Sequence, residues 1–181
     1  AQDLAFIVAH GDQLATELGA EHPLAIAAAR ALAAARGAIV DLTASAAPNT
    51  GAALKTVAAE LARRFNVDVA VDAEAVQPTD THPDLDHLER EQVVRIAREA
   101  IVNAVKHGGA QHVRVKLGRR DNRVLLSVSD DGCGLDAGAP SSNPGLGIGL
   151  PAMQARAETL GGRLVARPRK GGGTEITVLA S

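Results

Sequence analysis

The 181-residue chain contains no tryptophan and no tyrosine, and its aromatic residues are Phe6 and Phe65 alone. Its core must therefore be aliphatic and rich in alanine. Proteins that bind nucleic acid rely on a basic footprint and often on aromatic stacking platforms. Here 19 Lys and Arg stand against 21 Asp and Glu, a formal charge of −2, so no nucleic-acid partner is expected. The single cysteine, Cys133, excludes an internal disulfide framework. No apolar run approaches the roughly 20 residues of a membrane span, and no basic segment followed by an apolar stretch opens the chain. Membrane attachment is thus expected only through a longer parent protein. Residues 1–4 carry no helix start signal and read as the middle of a helix, which points the same way.

What is present fits one full domain and part of a second, since domains typically run to roughly 100–150 residues. Leu4, Ile7, Leu14 and Leu18, with Gly11 filling the remaining place, follow an alternating three-and-four spacing. After a break at residues 19–23, Ala25, Ala28, Leu32, Ala35, Ile39 and Leu42 repeat it. Two such seams joined by a short turn predict a helical hairpin over residues 1–45. Each seam is narrow and has little to cover it within one chain, so a homodimer is expected. Small polar residues broken by Pro48 mark residues 46–50 as a linker.

Residues 51–181 form the second domain. The pattern predicts a helix over 51–65, a strand over 67–71 and a long helix over 85–107. Strands follow over 111–118 and 123–130, joined at Asp121-Asn122. A Gly/Pro/Ser-rich loop covers 132–147, and a helix over 148–160 ends at Gly161-Gly162. Two last strands, over 163–168 and 174–179, are joined through Gly171-Gly172-Gly173. Helices and antiparallel hairpins in this order predict an α+β fold, a two-layer α/β sandwich with the helices over one sheet face.

Four patches carry candidate chemistry. On the long helix, at about 100° per residue, Glu99, Asn103, Lys106 and His107 share one arc, and Val94, Ala97, Ile101 and Val105 share the opposite one. A solvated face would also be polar. A carboxylate, an amide oxygen and a lysine on adjacent turns, however, suit a magnesium-nucleotide, which needs oxygen ligands for a hard cation and a point charge for phosphate. Asp130 ends an alternating strand of Val124, Leu126 and Val128, and Gly132 and Gly134 follow it. An Asp-Gly turn explains the same residues. The functional alternative places Asp130 under adenine, accepting from its exocyclic amine, with the glycines letting backbone approach the base. Gly145, Gly147 and Gly149 open a helix without the spacing or preceding strand of a dinucleotide fingerprint. They still suit an anion site of free backbone N–H groups at a helix N-terminus, with residues 135–144 as a lid. Thr174, after the final glycines, would add a hydroxyl beside Asp130 if the two strands are neighbours.

Taken together, E-x-x-x-N-x-x-K-H on a helix, D-x-G-x-G after a strand, G-x-G-x-G in a lid and then G-x-G-T resemble the GHKL superfamily of gyrase, Hsp90 and histidine kinases. The resemblance spans about residues 51–180 and implies its Bergerat ATP-binding fold. Arg98-Glu-Ala-Ile-Val-Asn-Ala-Val-Lys-His107 and Leu150-Pro-Ala-Met-Gln-Ala-Arg-Ala-Glu-Thr-Leu-Gly-Gly162 look like the sensor histidine kinases serving NarL-type response regulators. Residues 1–7 look like the continuation of that subgroup's H-D-x-x-x-Q phosphoacceptor helix. Gln2 would be the motif's glutamine, a phosphatase-type position, with the acceptor histidine upstream of residue 1. Among the six histidines, His10 before Gly11-Asp12 comes nearest to an acceptor context.

The resemblance implies ATP and Mg2+ as ligands and a cytoplasmic catalytic region that acts as a homodimer on a NarL-type regulator. Asn103 would ligate magnesium, with Glu99 assisting through metal-bound water or as a base toward the histidine. Lys106 and His107 would touch phosphate or ribose, and Asp130, with Gly132, Gly134 and Thr174, would hold adenine. Gly145, Gly147 and Gly149 would line the phosphates. Rival expectations are an anti-sigma serine kinase of the same superfamily and a non-catalytic dimeric scaffold. The heptad hairpin disfavours the first, and intact Glu99, Asn103 and Asp130 disfavour the second.

Overall fold

The computed structural model describes residues 46–73, 84–120, 123–134 and 146–180, with residues 23, 39, 43 and 44 as isolated positions. The chain divides into two compact units, Ala1–Thr43 and Ala44–Ser181. In the first, residues 23, 39 and 43 are helical, and Thr43 Oγ1 donates to the carbonyl of Ile39 across 2.8 Å. The rest of the expected hairpin, with Gln2 and His10, lies outside the described residues.

The second unit opens with α1 (Thr50–Phe65). Asn49 caps it by accepting from the N–H of Ala52 at 2.8 Å, and Asn66 ends it in the left-handed region at φ 53°, a conformation asparagine tolerates better than most residues. Its apolar face buries Ala53, Leu54, Val57, Ala58 and Leu61. After β1 (Asp68–Asp72) comes α2 (His87–Lys106), started by a capping box in which Asp86 and Glu89 bond each other's backbone N–H. Its buried side is Val93, Val94, Ile96, Ala97, Ala100, Ile101 and Ala104. Val105, expected on that side, is only half-buried, and Ala104 takes the place beside Ile101.

Strands β2 (His112–Arg120) and β3 (Arg123–Asp130) form a hairpin. Helix α3 (Leu146–Thr159) leads to a second hairpin, β4 (Arg163–Pro168) and β5 (Thr174–Ala180). The five strands run in the order β1-β2-β3-β5-β4. Both hairpins and the β3–β5 pair are antiparallel. β1 instead lies parallel to β2, with Val69 opposite Val113, because α2 carries the chain across between them. Hairpin reasoning alone does not supply that pairing.

Side chains alternate across the sheet. Val113, Val115, Leu117, Val124, Leu126, Val128, Ile176 and Val178 are buried on one face with Leu54, Leu61, Ile96, Ile101 and Met153 of the helices. His112, Arg114 and Lys116 on the other face are exposed. The result is the expected two-layer α+β sandwich, with an aliphatic core. A polar cluster pins the start of α1: Asp84 accepts from Thr50 N at 2.8 Å and Thr50 Oγ1 at 2.7 Å, and pairs with Arg90 at 2.8 Å. Arg90 also donates to the carbonyl of Ala47 at 2.8 Å.

Candidate functional site

The polar arc of α2 and the N-terminal turn of α3 meet at Gly149. Glu99 and Asn103 stand one helical turn apart and so project to the same side. A Cβ at position 149 would lie 2.6 Å from Glu99 Oε1 and 2.9 Å from Asn103 Nδ2, so a larger residue there would displace these two side-chain ends. The N–H groups of Leu146, Gly147 and Ile148 begin α3 and have no carbonyl one turn earlier in the helix to bond. Together with the helix dipole they make this end attractive to anions.

Asp130 closes β3 and is 6% exposed. Its Oδ1 accepts from Gly132 N at 2.8 Å and Thr174 N at 3.2 Å. Both bonds fall on one oxygen, and Oδ2 has no partner among the described residues. Thr174 therefore reaches Asp130 through its backbone N–H, where the sequence suggested its hydroxyl. Gly134, at φ +82°, would place a Cβ 3.0 Å from the carbonyl of Gly173, so the turn after β3 and the turn before β5 pack backbone against backbone.

Lys106 and His107 lie at the end of α2, where His107 is its C-cap. The exposed Lys106 has its Nζ 6.0 Å from the centre of the Phe65 ring, toward the end of α1. The carbonyl of His107 faces Cys133 Sγ at 3.7 Å. The structure thus brings together Glu99, Asn103 and Gly149 at one place, and Asp130, Gly132, Gly134 and Thr174 at another. Gly145 lies outside the described residues.

Two neighbours of Asp130 escaped sequence reasoning. Asp131 Oδ1 accepts from the N–H groups of Gln111 and His112, each at 2.9 Å, and its Oδ2 meets His112 Nδ1 at 2.7 Å. The hydrogen bonds from His112 hold the Asp131 carboxyl down at about 2, and the bond to Asp131 raises the His112 imidazole. Arg169, in the turn between β4 and β5, donates from Nη1 to the carbonyl of Asp130. The doubled aspartate at 130–131 was the only sequence signal for the first, and Arg169 had none.

Comparison with known proteins assigns this geometry to a family. Residues 89–180, which hold every described candidate residue, match the family described as histidine kinase-, DNA gyrase B-, and HSP90-like ATPase. The nitrate/nitrite sensor protein NarX of Escherichia coli K12 is 43% identical over 86 residues, which is 48% of this chain and 14% of that protein. The sensor histidine kinase NarS of Mycobacterium tuberculosis is 34% identical over 131 residues, 71% of this chain and 28% of that protein. The chain thus spans well under half the length of these curated relatives. Among solved structures, the histidine kinase domain of the Erythrobacter litoralis EL346 blue-light activated kinase shares the fold. Its TM-score is 0.62 at 19% identity, covering 98% of this chain and 84% of that one. ShkA in complex with AMPPNP does likewise, with a TM-score of 0.59 at 22% identity over 87% of this chain and 37% of that one. The chain belongs to the histidine kinase-, DNA gyrase B- and HSP90-like ATPase family, in its sensor histidine kinase branch and as the ATP-binding region.

Proposed function

We propose that this region binds magnesium-ATP and delivers the γ-phosphoryl group to a histidine of a two-component sensor kinase. From there the group passes to an aspartate of a NarL-type response regulator. The observation that carries the reading is the meeting of Glu99 and Asn103 with the first turn of α3 at Gly149. It sets a carboxylate and an amide against the N-terminal end of a helix, the chemistry a magnesium-bound polyphosphate requires.

Adenine belongs at Asp130. Its amine donates to Oδ2, while Gly132 N and Thr174 N hold Oδ1 and so fix the carboxylate plane. The triphosphate extends toward α3, where the N–H group of Gly147 receives it, with Gly145 ahead of it and Gly149 set against Glu99 and Asn103. Lys106 and His107 serve phosphate or ribose from the end of α2. Asn103 and Glu99 fit a magnesium ion. Both bring side-chain oxygens to the same end of α3, beside Gly149, and a carboxylate and an amide oxygen suit a hard cation that keeps water and phosphate oxygens as its other ligands. Bound there, magnesium would offset negative charge on the β- and γ-phosphates.

In the transfer, the lone pair of an imidazole nitrogen forms the new P–N bond, the bond from γ-phosphorus to the bridging oxygen breaks, and ADP leaves. Glu99 is the carboxylate available to take the imidazole proton. Catalysis then rests on positioning and charge neutralisation. The region is proposed to act in the cytoplasm, within a homodimer formed through residues 1–45, with Gln2 at the phosphatase-type position. Among the described residues no helix is long and apolar enough to cross a membrane. Titration calorimetry with and without magnesium tests the nucleotide reading. Binding of ATP that weakens when magnesium is removed is expected, and no heat of binding in either condition contradicts it.

A further inference from the structure

The turn between β4 and β5 carries Gly171, Gly172 and Gly173 at φ +97°, +107° and +85°. Three successive glycines in that half of backbone space form a segment with little stiffness of its own. Yet this turn must be held accurately, because it forms the roof over Asp130. A Cβ on Gly173 would fall 1.9 Å from the Asp130 carbonyl oxygen and 3.1 Å from its Oδ1. One residue later, Thr174 N supplies the second bond to Oδ1. The orientation of the Asp130 carboxylate therefore depends on where a glycine turn comes to rest.

Arg169 is the residue that places it. Its N–H donates to the carbonyl of Gly173 at 3.0 Å and its carbonyl accepts from Gly172 N at 3.3 Å, closing the turn on itself. Its guanidinium then reaches over to the backbone carbonyl of Asp130. That last bond joins the closed turn to the end of β3 at the residue whose side chain the turn covers. A charged donor on a carbonyl is among the stronger neutral-to-ion hydrogen bonds. The planar fork also loses less freedom than a lysine in holding a fixed direction.

We infer that Arg169 is a positioning residue for nucleotide selection: it locks the β4–β5 turn onto Asp130 so that the free carboxylate oxygen presents one fixed direction to an amine-bearing purine. It touches no substrate in this account and acts through Asp130. The inference rests on the reading of Asp130 as the adenine acceptor, and the test below separates the two. Without the guanidinium the turn drifts, Thr174 N leaves Oδ1 for part of the time, and the carboxylate rotates. ATP, which depends on that oxygen, weakens. GTP, which presents a carbonyl where adenine has its amine, gains nothing from Asp130 and stays as weak as before.

The experiment is competition of ATP and of GTP against a fluorescent nucleotide on the 181-residue chain, for the unmodified protein and for Arg169→Met, Arg169→Lys and Asp130→Asn. Thermal unfolding of each without nucleotide serves as a fold control. Arg169→Met is expected to weaken ATP roughly three- to tenfold with GTP unchanged, so that selectivity narrows, and Arg169→Lys to recover part of the loss. Equal weakening of both nucleotides, or unchanged ATP affinity in Arg169→Met while Asp130→Asn loses it, overturns the role of Arg169 and leaves the adenine reading standing. Unchanged ATP affinity in Asp130→Asn overturns both.

Discussion

The backbone N–H of Cys133 donates to the carbonyl of Gly108 across 2.8 Å. This bond ties the turn after Asp130 to the end of the helix that carries Asn103, and so links the two halves of the candidate site. Gly132 makes the approach possible, since a Cβ there would lie 2.6 Å from the same carbonyl and 3.1 Å from Asp130 Oδ1. Gly132→Ala is expected to push the turn away and weaken ATP by about tenfold or more, a loss of about 1.4 kcal/mol, with the fold retained by circular dichroism. Calorimetric titration of the variant checks this.

At the other end, Gly149→Ala places a methyl group 2.6 Å from Glu99 Oε1. The flexible glutamate end yields more readily than a backbone would, so the helix survives while Glu99 and Asn103 shift. Displacement of about 1 Å at a reacting centre costs on the order of a hundredfold in rate. Single-turnover transfer is expected to fall by at least tenfold with ATP affinity reduced much less, a split that rapid-quench kinetics beside a binding titration resolves.

Asp84 holds three donors from two elements, and its side chain and that of Arg90 are 12% and 16% exposed. Asp84→Ala leaves Nη2 of Arg90 and the backbone N–H and hydroxyl of the fully buried Thr50 without their acceptor. Removing one partner of such a network costs about 2–4 kcal/mol. A lower midpoint of urea unfolding with an unchanged slope is the expected outcome.

Stability also depends on pH through His112 and Asp131. The His112 imidazole is raised above 6.5 by its bond to Asp131, so the contribution is complete below 6.5 and disappears as pH rises through the raised folded value. Asp131, lowered from 3.8 to about 2, contributes above 3.8 and loses its effect as pH falls through about 2. Between these limits the pair is intact. Nuclear magnetic resonance titration should place His112 above the value of a free imidazole, and His112→Asn should flatten the alkaline decline in thermal stability.

How much of this was legible in the sequence varies with the range of the interaction. The alternation of Val124, Leu126 and Val128 and the Gly161-Gly162 stop are local signals, and the strands and helices lie within a residue or two of where they point, whereas the expected turn at Asp121-Asn122 lies outside the described residues. The parallel pairing of β1 with β2 is not local, because it depends on how α2 crosses the sheet. Val105 sits at the edge of the apolar arc, where tertiary packing rather than periodicity decides burial, and Ala104 is buried in its stead. Glu99 and Asn103 were readable as a pair from their spacing alone. Thr174 bonds Asp130 through its backbone N–H, a group every residue but proline carries, so its side chain misled. Asp131 and Arg169 act through partners 19 and 39 residues away, which no local pattern encodes.

The central claim, that this region drives phosphorylation of a histidine from ATP, is met most directly by the chemical stability of the product. A parent protein that joins this region to a phosphoacceptor histidine helix is incubated with γ-labelled ATP and magnesium, beside its Asn103→Asp variant, and the label is followed through acid and base. Acid-labile, base-stable label on the parent, lost in Asn103→Asp, is the predicted result. Label that survives acid, as on serine, or a parent that binds ATP yet takes up no label at all, would contradict it.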